Sequence, residues 1–496
     1  MKFNYLKIAV LFSGIVALGS CKKFLDINKD PDRLPDSNSP IAQLLTSAQV
    51  NVGFTAGSDL FRYTTQIMQQ MSGGASQPNQ TYEYGRYNIT GSDVNNLWSS
   101  IYATTLSDLE LIIKNGGGSP HYVGVAKILK AFTYQQVIDT WGDVPFTAAQ
   151  QLSLNTQPAY DDDATIYPKL ITLLTEAVTD MNAGVSALSP GTNSVMYTSA
   201  SWPTARAFWI KLANTLRLRL LIHYSKKDPA FCVAQITALV NSGAAFMASN
   251  ADSFVMPFYD IANARNPISA FEVSRPNYLF ADQRMLSLMT PKGDPRRPFY
   301  FTDFPVGSGT YVAVSATALP ASPNNNYSRI HTYLRGALVT PGAGTNSGVY
   351  TGAAPQRMLT FAEYNFIRAE AALMGAPGVA QTFFTDGITA SMTDAGVSAG
   401  NITTYLTTNG TLTGTNAQKL QQIIEEKYIA LFGVSGESWT DWRRTGHPAL
   451  SVPTNVINGV TSVPRSLFYP QSEIDLNPSN PGQKSISLQD KVFWDQ

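Results

Sequence analysis

The stretch YVGVAKILKAFTYQQVIDTWGDVPF, residues 122–146, contains an amphipathic helix together with its end. Apolar side chains recur at helical spacing, which predicts a helix over residues 122–139. These side chains are Val125, Ile128, Leu129 and Phe132. Trp141, Gly142, Asp143 and Pro145 follow directly. Glycine permits a left-handed exit, aspartate can accept from free backbone amides, and proline cannot continue a helix. We therefore interpret these four residues as a helix stop and not as a catalytic group.

Three further stretches show the same periodicity, at residues 93–115, 166–181 and 209–220. Consecutive amphipathic helices of this kind must bury their apolar faces on one another. Their lengths and spacing are typical of tetratricopeptide-like helix pairs, although the sequence has no strict repeat at a fixed period. Residues 41–250 are therefore predicted to form a helical scaffold.

Helices return in residues 356–496. Thr360 and Glu363 have the spacing of a capping box, and a second helix is predicted over residues 418–432. Beyond that helix, acidic and basic side chains alternate with two tryptophans over residues 437–444. We interpret this segment as a helix face and turn that charge pairs hold in place, with the two tryptophans packed beneath.

Residues 251–355 lack helical periodicity and carry turn signals, many tyrosines and short β-favouring runs. A long stretch of this kind inside a compact body is usually functional loop structure. The predicted fold class is therefore mainly α, with a loop-rich, partly β region that faces a ligand.

The first residues predict export. Lys2 and Lys7 precede an apolar run over residues 8–18, which is shorter than the roughly 20 residues that span a bilayer. Leu18, Gly19 and Ser20 then lead into Cys21, an order that resembles the lipobox of bacterial lipoproteins. This resemblance implies a signal peptide over residues 1–20, acylation of Cys21 and a tether over residues 21–40. An ordinary signal peptide with an incidental cysteine is the alternative.

Composition excludes several classes of function. The 496 residues hold 35 basic and 35 acidic side chains, so no basic surplus is available to bind nucleic acid. Beyond residue 18, no apolar run has membrane-spanning length. Cys232, the second of two cysteines, lies in an apolar helical pattern and is predicted to fill core space.

No pattern of residues points to catalysis, a cofactor or a metal ion. The four histidines lie far apart without zinc-site spacing, and neither a GxSxG elbow nor a Walker phosphate loop occurs. Asp161, Asp162 and Asp163 are interpreted as the polar entry to the helix at Ile166. A glycosidase needs two carboxylates roughly 5–9.5 Å apart. The sequence cannot exclude such a pair, so a hydrolase built on helices stays an alternative.

Several stretches resemble, in order, the motifs of SusD/RagB-type outer-membrane nutrient-binding lipoproteins. They are FLDINKDPD (24–32), the opening stretch (122–146), WIKLANTLRLRLLIHYS (209–225), NFIRAEAALMGAPG (365–378), IIEEKYIALFGVSGESWTDWRRTGHPAL (423–450), PRSLFYPQSEIDLNP (464–478) and KVFWD (491–495). The resemblance is thinnest over residues 251–355. It implies a non-catalytic, cell-surface lipoprotein of the outer membrane that binds an oligosaccharide, or sometimes a peptide. Such a protein delivers its ligand to a SusC-like TonB-dependent transporter, and a purely structural partner of that transporter is a further alternative.

Sugar binding requires aromatic faces beside hydrogen-bonding groups. None of the seven tryptophans lies within residues 251–355, so tyrosine or phenylalanine must form the stacking surface. Two regions offer candidates, TYEYGRYN (81–88) and the loops around residues 274–280 and 326–335. The candidate ligand-binding residues are Tyr82, Tyr84, Arg86, Tyr87, Arg275, Asn277, Tyr278, Tyr327, Arg329 and Tyr333. Alternating tyrosines are equally typical of half-buried strands, so packing is the alternative for each.

Overall fold

Helices form most of the body of the chain, which confirms the predicted mainly α fold class. The structure is a computed structural model that describes residues 40–73, 79–151, 154–314, 326–343, 346–457, 459–481 and 488–496. The predicted signal peptide, Cys21 and the tether up to residue 39 lie outside these ranges. Ile41–Gln496 is one compact unit. None of its helices in these ranges is long and apolar enough to cross a membrane.

In the part of the scaffold that the structure describes, nine α-helices precede residue 250. They are α1 Ile41–Gly57, α2 Asp59–Ile67, α3 Gln80–Gly85, α4 Asn95–Ser99, α5 Ser107–Asn115, α6 Pro120–Trp141, α7 Asp163–Met181, α8 Trp202–Ile222 and α9 Pro229–Asn241. Helices α6 and α7 pack along each other, and α8 packs against α7. The four apolar residues predicted to line one face of α6 are all fully buried.

The end of α6 confirms the predicted helix stop. Gly142 has a φ of 84°, and the backbone amide of Asp163 donates to Oδ1 of Asp143 at 2.9 Å. Asp162 caps α7 by accepting from the amide of Thr165 at 3.2 Å. The predicted polar entry to that helix is therefore also confirmed.

Residues 93–115 differ from the continuous α-helix that their periodicity predicts. A π-helical segment, Ser100–Leu106, joins α4 to α5. The hydroxyl of Thr105 donates to the carbonyl of Ser100, five residues earlier, at 3.2 Å. A π-turn adds a residue to the helical turn, and this addition shifts the buried stripe between the two α-helices.

The middle of the chain holds short elements joined by loops. The helices are α10 Pro267–Ser274, α11 Gln283–Met289, α12 Arg297–Tyr300 and α13 Thr332–Arg335. The strands within the described ranges are β1 Met71–Ser72, β2 Phe254–Met256, β3 Phe280–Ala281, β4 Leu338–Pro341, β5 Gly348–Tyr350 and β6 Gln356–Leu359. They form the antiparallel pairs β1–β3, β2–β6 and β4–β5. The β1–β3 pair places Ser72 opposite Phe280 and so brings together the chain segments that hold most of the candidate residues.

Among the described residues, six α-helices follow the loop region. They are α14 Phe361–Leu373, α15 Ala380–Asp394, α16 Ala399–Asn409, α17 Asn416–Ala430, α18 Glu437–Thr445 and α19 Gln471–Leu476. Short 3-10 turns lie at His223–Ser225, Asn250–Asp252 and Phe493–Asp495. Thr360 caps α14 by accepting from the amide of Glu363 at 3.1 Å. The predicted reciprocal bond is wrong, because the Glu363 carboxylate is buried and binds Arg219 instead.

Candidate functional site

A groove of about 490 Å³ lies between α1, α2, the π-helical segment and α10. Its wall includes Phe54, Arg62, Phe271 and Arg275, and we call it the arginine groove. Hydroxyl and amide side chains also contribute to the lining, and they are Thr55, Ser58, Asn96, Ser100 and Ser274. Because α10 packs against α1, residues more than 200 positions apart in sequence share this surface.

Two guanidinium groups lie near one aromatic ring in the groove. The central carbon of the Arg62 guanidinium is 4.6 Å from the centre of the Phe271 ring, and that of Arg275 is 5.4 Å from it. Asp59 forms an ion pair with Arg62. Burial and the neighbouring charge of Arg275 lower the pKa of Arg62 from its ordinary value. Among the described residues, no carboxylate pairs with Arg275, which is exposed.

The groove also presents an aromatic side chain to solvent. Phe54 is 53% exposed, and Val50, one turn earlier on α1, is 40% exposed. The buried stripe of α1 lies elsewhere on the helix and includes Leu45, Ala48 and Val52. A groove that is lined by an exposed phenylalanine and by a guanidinium without a described partner carboxylate can hold a ligand that combines an apolar face with polar groups.

Six of the ten predicted residues lie at least partly exposed, and they are Tyr82, Arg86, Arg275, Asn277, Tyr278 and Tyr327. Arg275 lines the groove itself. The ring of Tyr278 packs edge-on against Phe271, with ring centres 5.8 Å apart. The carbonyl of Tyr278 accepts a hydrogen bond from the hydroxyl of Thr81. Tyr82 is the next residue in the chain after Thr81.

Tyr82 and Arg86 lie outside the groove lining, on the segment whose Thr81 contacts Tyr278. The hydroxyl of Tyr82 accepts from the amide of Asn455 at 3.1 Å, and the Arg86 guanidinium lies 5.7 Å from the Tyr82 ring centre. Tyr327 packs edge-on against Phe280, with ring centres 5.5 Å apart. We call Tyr278, Tyr82 and Arg86 the rim.

The other four predicted residues are buried, and their side chains serve packing instead of a ligand surface. Tyr84 contacts Tyr63 edge-on, and Tyr87 is fully buried at a positive φ of 63°. Arg329 lies over the ring of Phe280. Tyr333 donates to Asp394 at 2.9 Å and stacks with a guanidinium.

The choice of candidates from aromatic-rich loops missed most of the groove lining, including two aromatic rings and one guanidinium. Phe54, Arg62 and Phe271 lie on helices, outside the two loop regions from which candidates were taken. One signal could have indicated Phe54. Val50 and Phe54 form an apolar pair at i,i+4 on a helix whose buried stripe occupies other positions.

A larger groove of about 900 Å³ lies among α9, α14, α17 and α18. Its lining has no aromatic ring, and its charged groups are already paired. Arg444 binds Glu370 at 2.6 Å, and Lys226 binds Asp495 at 2.8 Å. Among its described residues, the larger groove therefore offers neither an aromatic face nor an unpaired charge to a ligand, and the arginine groove is the better candidate site.

Comparison with known proteins decides the family. The SusD-like family model described as "Starch-binding associating with outer membrane" matches residues 33–470. The chain belongs to the SusD-like family. The resemblance seen in the sequence motifs is therefore confirmed, and the family is one associated with the outer membrane. No curated protein matches this SusD-like chain.

Solved structures share the SusD-like fold along almost the whole chain. One described as a chitin-binding protein is 25% identical, with a TM-score of 0.76, and the match covers 92% of this chain and 100% of that one. A chitin-binding SusD homologue from Flavobacterium johnsoniae is 22% identical, with a TM-score of 0.76 and coverage of 92% and 98%. A SusD-like protein from Bacteroides thetaiotaomicron is 22% identical, with a TM-score of 0.73 and the same coverage.

Proposed function

We propose that this SusD-like protein binds an oligosaccharide at the arginine groove and its rim without cleaving it. The observation that carries the proposal is that one groove is lined by the exposed ring of Phe54 and by the guanidinium of Arg275. A sugar ring can place its CH face on the phenylalanine while its oxygens accept from the guanidinium. Most of the lining comes from helices, which hold such groups more firmly than loops do.

The family and one structural neighbour support a glycan as the ligand. The family description names starch binding, and the neighbour that is 25% identical is described as chitin-binding. Neither description names the ligand of this chain. They favour a glycan over a peptide because both refer to polysaccharides.

The lining of the groove favours binding over hydrolysis. Glycoside hydrolysis uses two carboxylates that flank the scissile bond. Among the described residues, the groove is lined by one carboxylate, Asp59, and an ion pair with Arg62 engages it. This arrangement offers no partner for an acid and base pair.

The cellular role that we propose follows from the family and the lipobox. Acylation of Cys21 would anchor the chain at the outer face of the outer membrane, through the tether over residues 21–40. There it would pass its ligand to a SusC-like TonB-dependent transporter. In this role the protein concentrates a nutrient beside the pore and changes no covalent bond.

A glycan panel tests the binding proposal. The full chain, purified in detergent, is titrated with starch, chitin and uronate oligosaccharides and with a mixture of short peptides, and the bound fraction is released and analysed by mass spectrometry. We expect saturable binding of at least one oligosaccharide and recovery of that ligand intact. Recovery of shorter fragments would show a hydrolase, and saturable binding of peptides alone would show a peptide receptor. Either result would overturn the proposal.

A further inference from the structure

We infer that the arginine groove takes an oligosaccharide that carries a carboxylate, such as one containing a uronic acid residue. This inference rests on the proposed function and adds the chemical class of the ligand. It is carried by the imbalance between cations and anions around Phe271.

The charges in the groove do not cancel. Arg62 and Arg275 both lie near the Phe271 ring, whereas Asp59 is the one carboxylate among the described lining residues. Asp59 pairs with Arg62, so the positive charge of Arg275 stays without a described counter-charge. A carboxylate on the ligand would restore neutrality, since guanidinium and carboxylate groups form paired, charge-assisted hydrogen bonds.

The positions of the apolar side chains match a charged sugar better than a simple anion. Phe54 offers an exposed ring on the same groove that Arg275 lines. The Arg275 guanidinium lies over Phe271, which limits its motion and leaves its N–H groups without a described protein acceptor. The Nε of Arg62 is also buried and has no protein partner. A uronate can therefore place its ring on Phe54 and its carboxylate against the guanidinium of Arg275.

The test compares each acidic oligosaccharide with its own carboxyl-reduced form. The full chain in detergent is titrated calorimetrically with galacturonate, glucuronate and mannuronate oligosaccharides and with the reduced, neutral counterpart of each. We expect at least one acidic ligand to bind ten times or more tightly than its reduced form. Its binding should weaken as salt concentration rises, because the contact is between charges.

Substitution of the unpaired arginine locates the contact. Arg275→Gln should lower affinity for the acidic ligand at least tenfold, and by a clearly larger factor than it lowers affinity for the reduced form. Arg275→Lys, which keeps the charge but not the planar fork, should fall between wild type and Arg275→Gln. Arg265→Gln is the matched control, because Arg265 is exposed and pairs with Asp260 outside the groove lining.

The outcomes separate this inference from the proposed function. Binding of a neutral glycan, with no acidic ligand preferred over its reduced form, would overturn the inference and leave the proposed function standing. Equal loss of affinity in Arg275→Gln and Arg265→Gln would also overturn it. Failure of every glycan to bind would overturn both.

Discussion

At the scale of single residues, a buried ionic network joins the scaffold to the C-terminal helices. Arg219 on α8 donates to both carboxylate oxygens of Glu363 on α14, at 2.6 Å each. Lys427 on α17 binds Asp441 on α18 at 2.8 Å. Arg444 binds Glu370, which lies on α14. Charges removed from water in this way need partners, because an unpaired buried charge is costly.

Loss of one cation from this network should destabilise the fold strongly. Arg219→Met leaves the carboxylate of Glu363 buried without its partner. We expect the free energy of unfolding to fall by about 3–5 kcal/mol, as measured by urea denaturation. Asp260→Asn, which breaks an exposed pair with Arg265, should cost less than about 1 kcal/mol. Similar losses of unfolding free energy in the two variants would contradict the claim that the buried pair stabilises the fold more than the exposed one.

Asp282 should make stability depend on pH. Burial raises its pKa to about 7, although the hydroxyl of Ser72 and the backbone amide of Arg284 donate to the carboxyl group. An unfolded aspartate has a pKa of about 3.9. Between about pH 4 and pH 7 the folded chain therefore holds a proton that the unfolded chain has lost, so stability decreases as pH rises.

Asp282→Asn isolates this effect because asparagine does not titrate and can still cap α11. The stability of wild type relative to Asp282→Asn should fall over this window, by at most about 1.4 kcal/mol per pH unit. Urea denaturation at a series of pH values measures the difference. A difference that stays constant across the window would show that Asp282 is ionised in the folded chain throughout.

At the scale of elements, the exit from α6 depends on glycine. Gly142 has a φ of 84°, yet an added Cβ would come no closer than 3.7 Å to another atom outside the adjoining chain, at Oδ2 of Asp163. The cost of Gly142→Ala is therefore backbone strain, about 1–3 kcal/mol in the free energy of unfolding. Gly184→Ala is the control, since Gly184 has no positive φ and open space around it, and it should change stability little. Equal effects in thermal denaturation would refute this account of the turn.

The helices could be predicted from the sequence because their signals are local. The apolar spacing of α6, its stop at Gly142 and Asp143, and the entry through Asp162 each lie within a few residues. The π-helical segment escaped prediction because apolar spacing does not distinguish an α-helix from one with an added residue. The predicted hydrogen bond from the Thr360 amide to the Glu363 carboxylate was wrong, because a partner distant in sequence, Arg219, binds that carboxylate.

The groove could be predicted only in part, because it is assembled from distant segments. Arg275 and the neighbouring Tyr278 were foreseen from a loop rich in polar and aromatic residues. Phe54, Arg62 and Phe271 come together through the packing of α1, α2 and α10, which no local pattern encodes. Tyr84 and Tyr87 show the reverse error, since alternation alone cannot tell a buried tyrosine from an exposed one.

At the scale of the whole molecule, attachment to the membrane should depend on Cys21. Cells that express the full chain are fed an alkyne-labelled fatty acid, and the label on the purified protein is measured. We expect wild type to carry the label, Cys21→Ser to lose it and Cys232→Ser to keep it. Cys232 is the matched control because its thiol is fully buried in the described body. A labelled Cys21→Ser variant would contradict the proposed anchor.

The frame and the ligand surface have separable roles. Packing against neighbouring helices holds the positions of α1, α2 and α10, whereas Phe54 is exposed and its removal costs the fold little. Substitution of Phe54 should therefore change binding without changing stability. Leu188→Ala offers a matched control, since Leu188 is also 53% exposed and does not line the groove.

The most direct test of the central claim is calorimetric titration of the full chain and its Phe54→Ala variant with the oligosaccharide that the panel identifies. We predict that Phe54→Ala binds about tenfold more weakly, a change of about 1.4 kcal/mol, while Leu188→Ala matches wild type. Equal affinities for wild type and Phe54→Ala, in chains of equal stability, would contradict the assignment of the arginine groove as the site of capture.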